Sequence, residues 1–543
     1  MVNAAFQPDF IPQKNTDKAE KLSTTVKLSE VLNAGVRFEA SAFNIDAHNA
    51  IQILQSSPFP LIPLYGENGL SQEAHNAFRF RRVYVSSTYG IPFLSSSEII
   101  SLKPDTDRYL SKKNTKKLNS LKIQKWDVLV SRSGTIGNVG FATDSLKNKA
   151  VSEDVIRIRV KNPEAAGFLA AFLICKYGRL QLTQATYGSV IVHIELEHLR
   201  RILVPDLPVI RRIEIGRLMC EAGELRDQAN QLLNEADKLL HEKLNLPYLK
   251  EIIPTDKKSS VTKIKASQLA GRLEASYHNS TAIAAEQQLA KLPWEITTVG
   301  DPRVTKEVRA ITKFRKRTYV EKGGIPLLSS KQLFQIAPID VKRLAKGAHA
   351  KDLPEIQLEA NMIAVTCSGT IGRVQIIPKY MSKWAANQHA NRLLAAEQMN
   401  PGFLYAWLAS DYGYTLITRH SYGSVILEFD RFMLASVQIP LVEPSIRNEI
   451  GDLVLKANQL RDDAWNKEQK AITKLENLIS QKPRTMINNT NQSQSLAPPQ
   501  DFQFDPNAES IWELAARLSA QVPESEWEKL PTDLARNFDT YQE

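Results

Sequence analysis

Ser133-Gly134-Thr135-Ile136-Gly137 returns as Ser368-Gly369-Thr370-Ile371-Gly372, residue 368 against residue 133, an offset of 235. The same offset holds elsewhere. Tyr187-Gly188-Ser189-Val190-Ile191 returns as residues 422–426, Arg37-Phe-Glu-Ala-Ser41 as Arg272-Leu-Glu-Ala-Ser276, and Gly167-Phe168-Leu169 as Gly402-Phe403-Leu404. Gly90-Ile91-Pro92 returns as Gly324-Ile325-Pro326, one residue out of step. Chance does not hold one offset over so many separate blocks. The chain is a tandem duplication whose unit is far too long for a solenoid repeat.

Each unit divides into two parts. The first reads as mixed α and β. Residues 151–160 (VSEDVIRIRV) alternate like a half-buried strand, Gly167 to Thr183 has helical apolar spacing, and Gly-Ile-Pro and Ser-Gly-Thr-Ile-Gly read as turns. The second part is a long polar helix, Val209–Leu244 in unit one and Ser445–Ser480 in unit two. Leu218, Leu225, Leu232 and Leu239 fall seven apart, with Ala222, Ala229 and Ala236 between them. Unit two keeps Ala457, Ala464 and Ala471, with Leu453 and Leu460. Alternating Leu and Ala layers suit two closely approaching helices of a coiled coil.

The expected fold class is therefore α+β: a duplicated mixed domain plus long helix, the two helices forming an antiparallel coiled coil with pseudo-two-fold symmetry. The expected segments are a lead of residues 1–26, a first domain 27–206, a first helix 207–250, a linker 251–264, a second domain 265–441, a second helix 442–480, a flexible linker 481–505 and an acidic-aromatic tail 506–543. Such a bar would hold the two domains at opposite ends.

Charge points to a polyanion. The 543 residues carry a net +10, and residues 501–543 alone hold ten Asp/Glu against three Lys/Arg, so the remainder carries +17. Cys175, Cys220 and Cys367 are single and far apart, which gives neither a disulfide framework nor zinc spacing and fits a reducing cytoplasm. The first residues lack a basic stretch followed by an apolar core, and no apolar run is long enough to span a bilayer. A cytoplasmic protein without a membrane partner is expected.

Several chemistries are excluded. No Asn/Asp-Pro-Pro-aromatic motif for amino-group methylation is present, nor a nucleotide-cradling GxGxxG or GxxxxGK[ST] loop. His193 and His198, with Glu195 and Glu197 between them, match no metal-ligand spacing and read as a solvated helix start. No catalytic residue, metal or cofactor is expected. The candidate contacts are instead to nucleic acid. Glycines in the Ser-Gly-Thr-Ile-Gly turn let successive N–H groups converge on a phosphate, which makes Arg132, Ser133 and Thr135 candidates, with Ser368, Thr370 and Arg373 in the second copy. Arg81 and Arg82 in Phe80-Arg81-Arg82-Val83-Tyr84, and Arg315, Lys316 and Arg317 in the matching stretch, interleave basic and aromatic residues as nucleic-acid grooves do. Lys112, Lys113, Lys116 and Lys117, and Lys342, Arg343 and Lys346, form two basic stretches at similar places before each turn. The structural alternatives are a tight turn, a core strand and a solvated loop.

The order of these motifs, repeated twice with a helix after each, resembles the specificity subunit of type I restriction–modification systems over about residues 27–480. The carriers are Tyr84-Val85 through Gly90-Ile91-Pro92-Phe93-Leu94, Ser131-Arg132-Ser133-Gly134-Thr135-Ile136-Gly137, and Tyr187-Gly188-Ser189 before the long helix, with their second copies. The resemblance implies two target-recognition domains, each reading half of a bipartite site in double-stranded DNA. It implies helices that act as spacer and as docking surface for two adenine methyltransferase subunits, with a restriction/translocase subunit as a further candidate partner. The helix entrances, Val204-Pro205-Asp206-Leu207-Pro208 and Ile439-Pro440-Leu441, and the acidic tail depart from the family pattern. Two other readings are a recognition subunit of another methylation-linked phage-defence system and a structural coiled-coil adaptor without DNA affinity. Salt-dependent DNA binding separates the adaptor from the others.

Overall fold

The computed structural model describes residues 44–184, 193–253, 264–266, 269, 271–310 and 316–481. The Arg37–Ser41 block, the Tyr187–Ile191 block, Arg315, the inter-unit link around Thr255–Lys263 and the acidic tail lie outside them.

The first unit opens with helix α1 (Ile45–Gln55) and strand β1 (Leu61–Pro63), followed by β2 (Glu73–Asn76), β3 (Tyr84–Val85), β4 (Gly90–Leu94), β5 (Tyr109–Ser111), β6 (Val128–Ser131), β7 (Val139–Phe141), β8 (Ala150–Val151) and β9 (Val155–Arg159). Helices α2 (Pro163–Ile174) and α3 (Lys176–Gln184), strand β10 (Leu203–Pro205) and the long α4 (Val209–Lys243) complete it. The second unit has α5 (Ser280–Leu289), β11 (Ile296–Thr298), β12 (Thr305–Arg309), β13 (Tyr319–Val320), β14 (Ile325–Leu328), β15 (Lys342–Leu344), β16 (Ile363–Thr366), β17 (Val374–Ile376), β18 (Ala385–Ala386) and β19 (Ala390–Ala395). It ends in α6 (Pro401–Ala409), α7 (Asp411–Thr418), β20 (Gln438–Pro440) and the long α8 (Pro444–Ile479).

The duplication extends to sheet topology. In each unit one four-stranded sheet runs β2-β9-β6-β7 or β12-β19-β16-β17, and a second runs β3-β5-β4-β8 or β13-β15-β14-β18. A two-stranded ribbon, β1-β10 or β11-β20, carries the chain into the long helix. Among the described strands β4 pairs parallel with β8 and β14 with β18, and a short loop after β8 and after β18 crosses from the second sheet to the first.

The segment Gly167–Thr183, expected as one helix, is two. Cys175 takes an extended conformation (ψ 162°) between α2 and α3, and Ser410 does the same (ψ 165°) between α6 and α7. The chain then folds back so closely that a Cβ on Gly178 would lie 2.1 Å from the Phe172 carbonyl oxygen, and one on Gly413 2.2 Å from that of Trp407. Periodicity does not register such a break, because both helices keep their apolar faces in the same core.

The long helices pair antiparallel. Glu214 meets Lys474 at 2.8 Å, Glu221 meets Lys467 at 2.5 Å and Lys243 meets Glu449 at 2.7 Å, so position along one helix rises as it falls along the other, and Arg226 meets Glu468 at 2.9 Å near the middle. At ~1.5 Å per residue each helix spans roughly 50 Å. The alanines occupy the seam as expected: Ala222, Ala229, Ala457, Ala464 and Ala471 are fully buried, and Ala236 nearly so. The leucines do not. Leu218, Leu225, Leu232 and Leu239 are only partly buried, while Met219, Leu233 and Leu240 fill the interior. Each helix is covered on two sides, by its partner helix and by its own domain, which widens the apolar stripe beyond a two-position heptad.

Each helix starts on its own domain and ends in the other. Ala471, Leu475 and Ile479 of α8 lie in the core of the first domain. Leu233, Ala236 and Leu240 of α4 lie in the core of the second. The domains also meet across the middle. Ser101 forms an antiparallel bridge with Gln335, flanked by hydrogen bonds from the Leu102 amide to the Phe334 carbonyl and from the Ile336 amide to the Ile100 carbonyl, both 2.8 Å. Ser101 and Gln335 are the same position of the repeat, at the step of 234 set by Gly90 and Gly324, so the pseudo-dyad passes between them.

Candidate nucleic-acid interface

The Ser-Gly-Thr-Ile-Gly segments turn the chain from β6 to β7 and from β16 to β17. Gly134 and Gly137 take φ of 79° and 91°, Gly369 and Gly372 76° and 77°, a region that side chains with a Cβ rarely adopt. Ile136 and Ile371 anchor each turn inward, while Gly134, Thr135, Gly369 and Thr370 are exposed at the tip. The serines are already engaged. Ser133 donates its hydroxyl to the Asp154 carboxylate, and Ser368 donates to Glu428 at 2.9 Å. Arg132 pairs with Glu195, bracing the first turn against the short helix Leu196–Leu199. His198 caps that helix, its Nδ1 accepting from the Glu195 amide at 2.9 Å.

Arg82 and Arg317 occupy one position of the repeat. Arg82 donates through Nη2 to both carboxylate oxygens of Glu153 at 2.8 and 2.9 Å, which holds its guanidinium above the ordinary arginine range. Arg317 donates to the Gln388 amide oxygen at 2.5 Å. Arg81 and Lys316 are exposed.

In the first domain the expected groups join into one strip. The Lys117 ammonium lies 5.7 Å from the centre of the Phe78 ring, Phe78 packs on Phe80 at 5.9 Å, Phe80 on Phe93 at 6.2 Å, and the Arg82 guanidinium lies 5.4 Å over Phe93. The strip continues through Glu153 and Asp154 to Ser133. Thr115 is buried as an anchor, while Lys112, Lys113, Lys116 and Lys117 are exposed just after β5.

The second basic stretch falls at the matching place. Lys342 and Arg343 lie exposed on β15, with the Lys342 ammonium 5.1 Å from the Tyr319 ring centre and Arg343 donating to the Gly323 carbonyl at 3.1 Å. Lys346 is exposed in the turn that follows. Arg373 stands apart from this group. Its guanidinium lies 4.0 Å from the Phe334 ring centre, and with Thr370 it lines an open cleft of about 700 Å³ facing the first domain's Glu98, Ser101 and Asp105.

Two groups that orient the domains were not singled out from sequence. Asp227 on α4 accepts from the Thr143 hydroxyl and Asp144 amide, both at 2.7 Å, and from the Ser145 amide and hydroxyl at 3.0 and 2.5 Å. Asp462 on α8, 235 residues on, accepts from the Lys379 and Tyr380 amides at 3.1 and 2.9 Å. The shared offset was the available signal. Beside them α2 meets α4, and α6 meets α8, backbone to backbone. A Cβ on Gly216 would lie 1.8 Å from the Glu164 carbonyl oxygen, and one on Gly402 2.1 Å from that of Gly451.

Among the described residues no group of three His, Cys, Asp or Glu is placed to hold a metal ion, and no helix is long and apolar enough to cross a membrane.

The family model described as "Type I restriction modification DNA specificity domain" matches residues 75–209 and 294–473. No curated protein matches. Among solved structures, the type I restriction–modification S subunit from M. genitalium is 13% identical with a TM-score of 0.28, over 77% of this chain and 98% of that one. The HsdS subunit from Thermoanaerobacter tengcongensis is 12% identical with a TM-score of 0.25, over 77% and 99%. A chain from a study of complex assembly and conformational transition of the type I R-M system is 13% identical with a TM-score of 0.23, over 78% and 96%.

Proposed function

The chain belongs to the type I restriction modification DNA specificity domain family, and on that premise we propose that it is the sequence-specificity subunit of a type I restriction–modification complex. It binds a bipartite target in double-stranded DNA, one half per domain, and positions two adenine methyltransferase subunits on the paired helices. The subunit itself performs no chemistry. The observation that carries this reading is the pseudo-dyad. Two domains of one topology are joined by an antiparallel helix pair and touch at its middle, each tied to both helices, and each presents an exposed basic strand-and-turn with adjoining aromatic rings. Such a frame sets two half-sites at a fixed separation, while phosphate contacts supply affinity without sequence information.

The test is to purify the full chain with and without its methyltransferase subunits, titrate DNA at several salt concentrations, and map methylated adenines. The expected result is salt-dependent binding, a bipartite methylated motif only with the methyltransferase present, and no methyl transfer by the chain alone. Methyl transfer by the pure chain, or binding indifferent to salt and sequence in the complex, would overturn the reading.

A further inference from the structure

Residues identical in both domains cannot encode a difference between two half-sites. The Ser-Gly-Thr-Ile-Gly turns and the Arg82/Arg317 position are therefore common machinery. The crossing loops after β8 and β18 share a backbone but differ in side-chain chemistry. The Arg132 amide donates to the Asp154 carbonyl at 2.8 Å, and at the same place the Cys367 amide donates to the His389 carbonyl at 3.0 Å. Ser152 and Asn387 likewise donate their amides to Leu94 and Leu328, at 3.2 and 2.9 Å. On this common frame the first domain carries Glu153-Asp154 and the second Gln388-His389. Each dipeptide touches the shared arginine; beside the turn, Asp154 accepts from Ser133, whereas His389 meets the second turn through its backbone and Ser368 bonds Glu428 instead.

We propose that Glu153-Asp154 and Gln388-His389 are the base-discriminating positions of the two domains, a proposal that rests on the specificity-subunit reading above. The chemistry differs in kind. Two carboxylates offer acceptors alone and select a base edge that presents an amino donor, as cytosine N4 does in the major groove. An amide offers donor and acceptor together and matches the N6 and N7 edge of adenine. Gln388 spends its oxygen on Arg317, and its Nε2 has no partner among the described residues. It lines a cavity of about 480 Å³ with Ser368, His389, Asn391, Tyr422 and Phe432. The Asn391 Nδ2 is buried in that wall without a hydrogen-bond partner. The second domain thus presents unspent donors where the first presents acceptors.

The experiment uses the full chain in complex with its methyltransferase subunits, with the methylated motif and selection from randomised duplexes as readouts. Glu153→Gln is the conservative variant: the amide oxygen still accepts from Arg82, as Gln388 does from Arg317, so the fold is not at issue. It should shift base preference in one half-site by roughly tenfold and leave the other unchanged. The paired exchange Gln388→Glu with His389→Asp should alter only the opposite half-site. If these variants bind DNA with the wild-type motif in both halves, the proposal is wrong and the specificity-subunit reading stands. If the wild-type complex selects no bipartite sequence at all, that reading falls and takes the proposal with it.

Discussion

Asp227 and Asp462 stand at the same position of the two long helices, and each receives the backbone of the same turn of its own domain, residues 144–145 in one case and 379–380 in the other. In each case one carboxylate ties the domain's turn to its helix. Asp227 accepts four hydrogen bonds and Asp462 two.

Replacing Asp227 by Ala strands two hydroxyls and two amides. It should lower stability by about 2–4 kcal/mol. Asp462→Ala should cost less, because fewer donors lose their acceptor. Urea unfolding of the full chain measures both, and equal losses would mean that the turns are held by something else.

The glycine contacts give a sharper contrast. Gly216→Ala places a methyl 1.8 Å from a backbone oxygen that cannot move without separating α2 from α4. A loss of at least about 2 kcal/mol is expected. Gly134→Ala meets open space but a φ of 79°, and should cost about 1 kcal/mol.

How much of this was legible in the sequence depends on the range of the interaction. The duplication, the helix pairing and the alanine seam follow from repeats and periodicity, which are local. The leucine seam misled because a heptad reports one buried stripe, and these helices bury two. Asp227 and Glu153 were opaque for another reason. Their partners lie about 70–85 residues away, and an acidic residue on a polar helix or in a loop looks solvated until those partners are placed.

His241 near the end of α4 sets a pH dependence. Burial alone would lower its pKa, but the Asp411 carboxylate 3.4 Å away, a hydrogen bond with the Leu246 carbonyl and the charge of Asp237 raise it above 6.5. Tyr248 stacks on the ring at 3.8 Å. The charged imidazole is favoured in the folded chain, so its contribution is complete below pH 6.5 and is lost as pH rises through the folded value. The melting temperature should fall over that interval. His241→Gln should flatten the profile, and a variant that keeps the slope would assign it to another group.

Replacing Lys112, Lys113, Lys116 and Lys117 together by Ala should weaken DNA binding by a similar factor for every sequence. The slope of log K against log salt should fall by about one unit per phosphate contact removed. A change in the preferred sequence instead would mean that these lysines touch bases.

The crossing of the helices also bears on how the chain is made. The first domain draws Ala471, Leu475 and Ile479 into its core, and Lys176 donates its amide to Glu476, 300 residues further along. Synthesis is vectorial, so nearly the whole polypeptide must leave the ribosome before the first domain can close. Until then its apolar surface waits for a segment not yet translated, in need of a chaperone or at risk of aggregation. A chain truncated before residue 471 would therefore damage the core of its first domain, although the cut falls at the far end of the sequence.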